Sequence, residues 1–169
     1  MKPPLFSGST DDYQTPANAI IPLLPYLSKE KIIWECACGK GNLVNEFVRR
    51  GFQCIGSDAL TNQYFQFWQP DKFDVIITNP PFSHKTEFLH RAYEIGKPFA
   101  FLLPITTFEG KDRQRLFEKY GVEVIFFDKR INFNGPIENG GGGGSWFATA
   151  WFTYNLNIGK EITFVKFIE

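Results

Sequence analysis

Apolar positions in this chain gather into short runs separated by polar turns, and the runs are of two kinds. One kind is an unbroken apolar stretch, as in Ile32-Ile33-Trp34, Val75-Ile76-Ile77, Phe99-Ala100-Phe101-Leu102-Leu103 and Val124-Ile125-Phe126-Phe127. Such stretches, rich in branched and aromatic residues, suit strands covered on both faces. The other kind repeats with helical spacing, as in Leu43, Val44, Phe47 and Val48, and marks one face of an amphipathic helix. Read in order, the pattern predicts a helix at 16–27, a strand at 32–36, a helix at 42–50, a strand at 53–57 and a short strand or turn near 63–68. A strand at 73–78, a helix at 85–95, a strand at 98–103, a helix at 111–119 and a strand at 122–127 follow. Strands at 146–154 and 161–168 close the chain, joined by residues 155–160 as in a hairpin. Alternating strands and helices argue an α/β fold, with a mostly parallel sheet between two helical layers. At 169 residues, one domain over 1–169 is the simplest organisation.

The strand ends carry the candidate chemistry. Strand 73–78 runs into Asn79-Pro80-Pro81-Phe82, which suits transfer to an exocyclic amino group. The lone pair of such an amine is delocalised into its ring, so the nitrogen is a poor nucleophile. The Asn79 side-chain oxygen and the Pro80 carbonyl, oriented by the rigid Pro-Pro pair, can accept both amino hydrogens and favour a pyramidal nitrogen. Phe82 offers a flat face on which the target ring can stack. The bland alternative is a strand followed by a rigid turn. Upstream, Ile32-Ile33-Trp34-Glu35-Cys36-Ala37-Cys38-Gly39-Lys40-Gly41-Asn42-Leu43 is a strand, an acid, a glycine turn and a helix start. That unit opens nucleotide-binding α/β folds, where glycines permit close backbone approach to a ligand at a helix N-terminus. Asp58 ends the second strand about 20 residues beyond the turn, placed to accept from both hydroxyls of a ribose; an ordinary turn aspartate is the alternative.

Asn79-Pro80-Pro81-Phe82 in this setting resembles the catalytic motif of the S-adenosylmethionine-dependent amino methyltransferases, particularly the adenine-N6 DNA type. Glu35 to Gly41 resembles the cofactor motif of that family, acid-Pro-Ala-Cys-Gly-x-Gly, with Cys36 where proline is usual. Asp12-Tyr13-Gln14-Thr15-Pro16 resembles the Thr-Pro element that meets the methionine end of the cofactor, and Lys129-Arg130-Ile131-Asn132-Phe133-Asn134-Gly135 resembles an Arg-Ile-x-Phe segment of small phage-type enzymes. The resemblance implies a Rossmann-like class I methyltransferase fold, with an antiparallel strand near the C-terminal end at 145–154. S-adenosylmethionine is the implied cofactor, held by Thr15, Pro16, Glu35, Ala37, Cys38, Gly39, Gly41, Asp58 and Asn79, with Glu35 on its amino group. Asn79, Pro80, Pro81 and Phe82 are the implied catalytic group. Thr15 also reads as an N-cap for a helix begun by Pro16. Arg130 would meet phosphate and Phe133 the extruded base, unless Ile131 and Phe133 are core residues. The acid that the family uses to recognise the cofactor's adenine is missing from 61–68, leaving Gln63 or Gln66 as substitutes.

Composition adds limits. Eighteen basic and eighteen acidic residues cancel, so a nucleic-acid surface must be local. Lys111, Arg113, Arg115 and Lys119, with Lys129 and Arg130, are the candidate phosphate contacts, though charged helix positions are usually solvated faces. Cys36, Cys38 and Cys54 are an odd count without paired spacing, and His84 and His90 lie far from them; reduced packing residues are expected, and no metal site. Gly140 to Gly144, followed by Ser145, reads as a mobile loop or an introduced linker. No secretory signal or membrane-spanning stretch is expected, which suits the cytoplasm of a prokaryotic or phage-infected cell. The leading function is methylation of adenine N6 in DNA. No target-recognition domain is evident, so specificity falls to the 128–145 loop or to a partner subunit. Alternatives are RNA adenine N6, RNA guanine N2 or a protein glutamine as acceptor, and a non-catalytic subunit that keeps the cofactor fold.

Overall fold

A computed structural model describes residues 14–133 and 147–168. Among the described residues, seven strands form one sheet, in the order β2-β1-β3-β4-β6-β5-β7. They are β1 (Ile32–Glu35), β2 (Gln53–Gly56), β3 (Val75–Thr78), β4 (Phe99–Pro104), β5 (Glu123–Phe127), β6 (Thr149–Tyr154) and β7 (Ile162–Val165). Three α-helices connect them: α1 (Asn42–Arg49), α2 (Lys85–Ile95) and α3 (Lys111–Tyr120). Every strand pair is parallel except those made by β6, which runs antiparallel between β4 and β5. The unbroken apolar runs are explained by this placement, since β3 and β4 are buried along their whole length.

Alternation along the strands divides the core into two layers. Ile33, Val75, Ile77, Ala100, Leu102, Ile125 and Trp151 face one way, against Ala19, Ile20 and Leu23 of the N-terminal segment and Leu43 and Phe47 of α1. Trp34, Ile76, Phe99, Phe101, Leu103, Val124 and Phe152 face the other, against Phe88, Leu89, Ala92 and Tyr93 of α2 and Leu116 of α3. Half of the buried residues in the second layer are aromatic. Phe65 stacks on Phe88 at 4.8 Å, and Tyr93 meets Phe99 edge-on at 5.0 Å, geometries that favour the ring quadrupoles.

Three expectations change. The first helix is a 3-10 helix, Ala17–Tyr26, containing Pro22 and Pro25; two missing N–H donors and ring clashes keep an α ladder from forming. Thr15 does not cap it. Pro16 occupies the cap with extended backbone and no side-chain cap bond, while Thr15 itself is buried. The C-terminal strands do not form a hairpin. Both edges of β6 are already taken, so the chain passes over one strand and β7 pairs parallel with the outer edge of β5, Val124 opposite Ile162. That crossing turns at Asn155, Asn157 and Gly159, all with positive φ. It is pinned by Glu123, whose carboxylate accepts from Ile158 N and Gly159 N at 3.3 Å. Region 63–68 is turn rather than strand. Residues 134–146 and 1–13, with the Gly140–Ser145 run, Asp12 and Tyr13, lie outside the described residues. Among the described residues no helix is long and apolar enough to cross a membrane.

A buried bond ties the N-terminal segment to β6, Trp151 Nε1 donating to Ala19 O at 2.8 Å. Trp151→Phe leaves a buried carbonyl without its donor, which costs about 1–3 kcal/mol. Urea denaturation should show that loss as a lowered midpoint; an unchanged midpoint would mean the bond contributes nothing net.

Candidate active site

The chain leaves β1 through α1 to β2 on one side, then places β3 on the other side of β1. In open α/β sheets a crevice opens beyond the carboxyl ends of strands at such a reversal. Here those ends carry Glu35 and Asn79. A pocket lies there, lined by Gln14, Thr15, Glu35, Ala37, Cys38, Gly39, Asn42, Leu43 and Asn79.

Glu35 is almost fully buried. Its Oε1 accepts from Ala37 N at 3.1 Å and from the Thr78 hydroxyl. Burial pushes its carboxyl up to about 7; the Thr78 and Ala37 bonds oppose that rise, and the nearby Asp58 charge adds to it. A cation brought beside it would favour its ionised form. The turn after it is tightly determined. Gly39 has φ 48° and Gly41, at the start of α1, has φ 85°, a region that side chains with a Cβ rarely occupy. Gly56 on β2 lets the turn and helix close in, because a Cβ there would lie 3.0 Å from Val44 Cγ2 and 3.2 Å from Cys38 Sγ. Ser57 ties the layers together: its hydroxyl accepts from Trp34 Nε1 at 2.8 Å, its N–H donates to Glu35 O and its carbonyl accepts from Cys38 N. Burial pushes the Cys38 thiol up to about 11, so it lines the pocket as a neutral group.

Asp58 stands behind the turn and is not among the lining residues. Its Oδ2 accepts from Gly39 N at 2.8 Å and its Oδ1 from Leu60 N at 2.9 Å, so it braces the turn and keeps lone pairs for a further donor. Pro16 and Gly41 likewise adjoin the pocket without lining it. Pro80 is buried and Pro81 is extended at φ −58°, ψ 124°. Phe82 begins the 3-10 turn Phe82–His84. Its ring meets Phe147 at 5.2 Å and Phe133 at 6.4 Å, both nearly perpendicular, while Phe133 and Phe147 are 6.2 Å apart. Phe133 therefore sits beside the tetrapeptide, and Ile131 is buried in the core.

The basic candidates separate. Lys111 and Arg130 are exposed. Arg113 clasps the loop before α3, donating to Thr107 O at 2.8 Å, to Thr86 Oγ1 at 2.9 Å and to Glu109 O. Lys119 lies over the Tyr120 ring. Gln63 accepts from the Thr61 hydroxyl at 3.1 Å, and neither it nor Gln66 lines the pocket. The sequence pattern missed Gln14, Asn42, Leu43 and Phe147. Gln14 and Asn42 are immediate neighbours of Thr15 and Gly41, a signal that adjacency alone could have supplied.

No protein-family model and no curated protein matches the chain. Among solved structures it is similar to a modification subunit assigned to a type I restriction enzyme from Vibrio vulnificus YJ016, with TM-score 0.53 and 12% identity over 87% of this chain and 44% of that one. It is also similar to a protein assigned as an RNA methyltransferase from Pyrococcus horikoshii, with TM-score 0.52 and 16% identity over 88% of this chain and 89% of that one. The chain thus spans less than half of the Vibrio subunit. At these identities the likeness is one of fold: a Rossmann-like class I methyltransferase fold with one antiparallel strand, β6, near the C-terminal end.

The buried acid has a consequence for the protein alone. A carboxyl titrating near 7 when folded, against 4.5 ordinarily, binds more protons in the folded than in the unfolded state between those values. Its stabilising contribution is complete below about 4.5 and is lost as pH rises through about 7. Glu35→Gln can keep both bonds at Oε1 while removing the titration. The fall in urea midpoint between about pH 5 and about pH 8 should therefore be smaller in the variant; an equal fall would refute the raised carboxyl.

Proposed function

We propose that the protein transfers a methyl group from S-adenosylmethionine to the N6 amine of adenine in DNA. The observation that carries this reading is that Glu35 and Asn79, at the carboxyl ends of neighbouring strands, line one pocket with the glycine turn. The residues present fit the cofactor: a buried carboxylate suits its ammonium group, and a backbone turn with positive φ at Gly39 allows close approach of a ligand. Glu35 would hold the ammonium, with Thr15 and Gln14 on the same wall. Ala37, Cys38 and Gly39 would line its path beside Gly41 and Pro16, and Asp58 would use its remaining lone pairs on the ribose. When bound, the cofactor supplies an electrophilic methyl group on a sulfonium.

The chain's own part is to hold the acceptor in line, and positioning alone can contribute much of such a rate. Asn79 Oδ1 and the Pro80 carbonyl accept the two amino hydrogens, turning the nitrogen lone pair toward the methyl group. Pro80 and Pro81 hold that geometry because neither φ is free to rotate. Phe82 stacks on the ring, with Phe133 and Phe147 behind it. A base in a duplex must be flipped out to reach this position, at a cost that single-stranded DNA avoids. Lys111, Arg115, Lys129 and Arg130 are exposed and are assigned to the phosphate backbone; Arg113 would contribute only if its clasp opened. We assign target recognition to residues 128–145 or to a partner subunit. The Vibrio neighbour, a modification subunit, supports a DNA acceptor, and the Pyrococcus neighbour supports the second reading, RNA.

Incubation with labelled S-adenosylmethionine and separate duplex DNA, single-stranded DNA, RNA and protein should place label on adenine N6 of DNA, identified by mass spectrometry of nucleosides. Label on cytosine or protein, with none on adenine, overturns the reading. Asn79→Ala should abolish transfer and leave S-adenosylhomocysteine affinity nearly intact. Because an ammonium pairs with ionised Glu35, that affinity should weaken about tenfold per pH unit below about 7. Glu35→Gln should bind weakly with little pH dependence, and calorimetric titration at several pH values would show it.

A further inference from the structure

We infer that Thr78, the last residue of β3, is a positioning residue that sets the charge and orientation of Glu35 for the cofactor's ammonium group, an inference that rests on the cofactor reading above. Thr78 is completely buried. A hydroxyl buried at the end of a central strand must find a partner, and this one donates across to Glu35 Oε1 on the adjacent strand. The same oxygen accepts from Ala37 N at 3.1 Å. Two donors on Oε1, one from β3 and one from the turn after β1, fix the carboxylate plane and leave Oε2 as the oxygen to meet a cation. A hydrogen bond to the ionised form also favours that form, so Thr78 works against the burial that would otherwise keep Glu35 protonated.

The groups facing Glu35 make this bond matter. Asp58, in the segment after β2, adds an unfavourable like charge. Cys54 on β2 and Cys36 and Cys38 beside Glu35 are thiols whose own ionisation Glu35 opposes. β3 contributes Thr78 itself. The groups that favour the carboxylate are thus the Thr78 hydroxyl and the Ala37 amide. Because Thr78 directly precedes Asn79, the residue that readies the cofactor site and the residue that holds the acceptor share one strand end.

The test compares wild type with Thr78→Val, which keeps the shape and removes the hydroxyl, and Thr78→Ser, which restores it. Carbon-13 NMR of labelled glutamate in the free protein reads the Glu35 titration, and calorimetry with S-adenosylhomocysteine reads affinity against pH. Thr78→Val should move the titration upward by about one pH unit, move the pH profile of affinity by the same amount, and weaken binding about fivefold at pH 7 and about tenfold well below it. Thr78→Ser should recover most of each change. A Glu35 titration unmoved by Thr78→Val, or an affinity lowered equally at every pH, overturns the inference. Should wild type bind no S-adenosylhomocysteine at any pH, the cofactor reading falls and the inference with it. An NMR shift in that case would show only that the bond to Glu35 exists, so the two failures are distinguishable.

Discussion

The parallel pairing of β1 with β3 places Ile33 opposite Val75 and Trp34 opposite Ile76, and from this register the arrangement of the site follows. It brings the ends of two strands, far apart in sequence, level with one another. The Thr78 hydroxyl can then reach Glu35, and Asn79 emerges beside the glycine turn. A slip of one residue would exchange the two faces of β3, driving Ile76 out of the aromatic layer and Ile77 out of the aliphatic one. The core therefore holds the register, and the register holds the chemistry.

The two layers flanking the sheet divide their tasks. The aliphatic side carries α1 and the N-terminal segment, and it brings Gln14, Thr15 and Leu43 to the pocket. The aromatic side carries α2 and α3 and supports β3 from beneath through Trp34, Phe65, Phe73 and Phe88. Trp34 belongs to both tasks: its ring packs edge-on against Phe73 at 4.8 Å, while its N–H reaches Ser57, which is bonded to the backbone of Glu35 and Cys38 just ahead of the glycines.

Much of this was legible in the sequence because the governing signals are local. Unbroken apolar runs gave the central strands, glycines gave the turn, and a strand ending in Asn-Pro-Pro gave the end that faces the pocket. What escaped was non-local. A run such as Ile162–Val165 has the same pattern whether it folds back on β6 or crosses to β5, and only the occupation of both β6 edges decides between them. The helical reading of 16–27 took no account of Pro22 and Pro25, which disfavour the α ladder and leave a 3-10 helix in its place. That the Asp58 oxygens also brace Gly39 and Leu60 depends on how the turn folds over β2, which no local pattern shows. Phe147 reaches Phe82 only because β6 enters the middle of the sheet.

The bond from Trp151 to the carbonyl of Ala19 spans 132 positions, and this bears on the order of assembly during synthesis. The glycine turn, the acid and the Asn-Pro-Pro-Phe end all leave the ribosome before β6 exists. Yet the wall formed by Gln14 and Thr15 adjoins a segment whose anchor is on β6, and β4 lacks one neighbour until the same strand arrives. Long-range closures of this kind are slow and come late. A nascent chain thus carries every motif for some time without a finished pocket, and the pocket waits on the synthesis of β6.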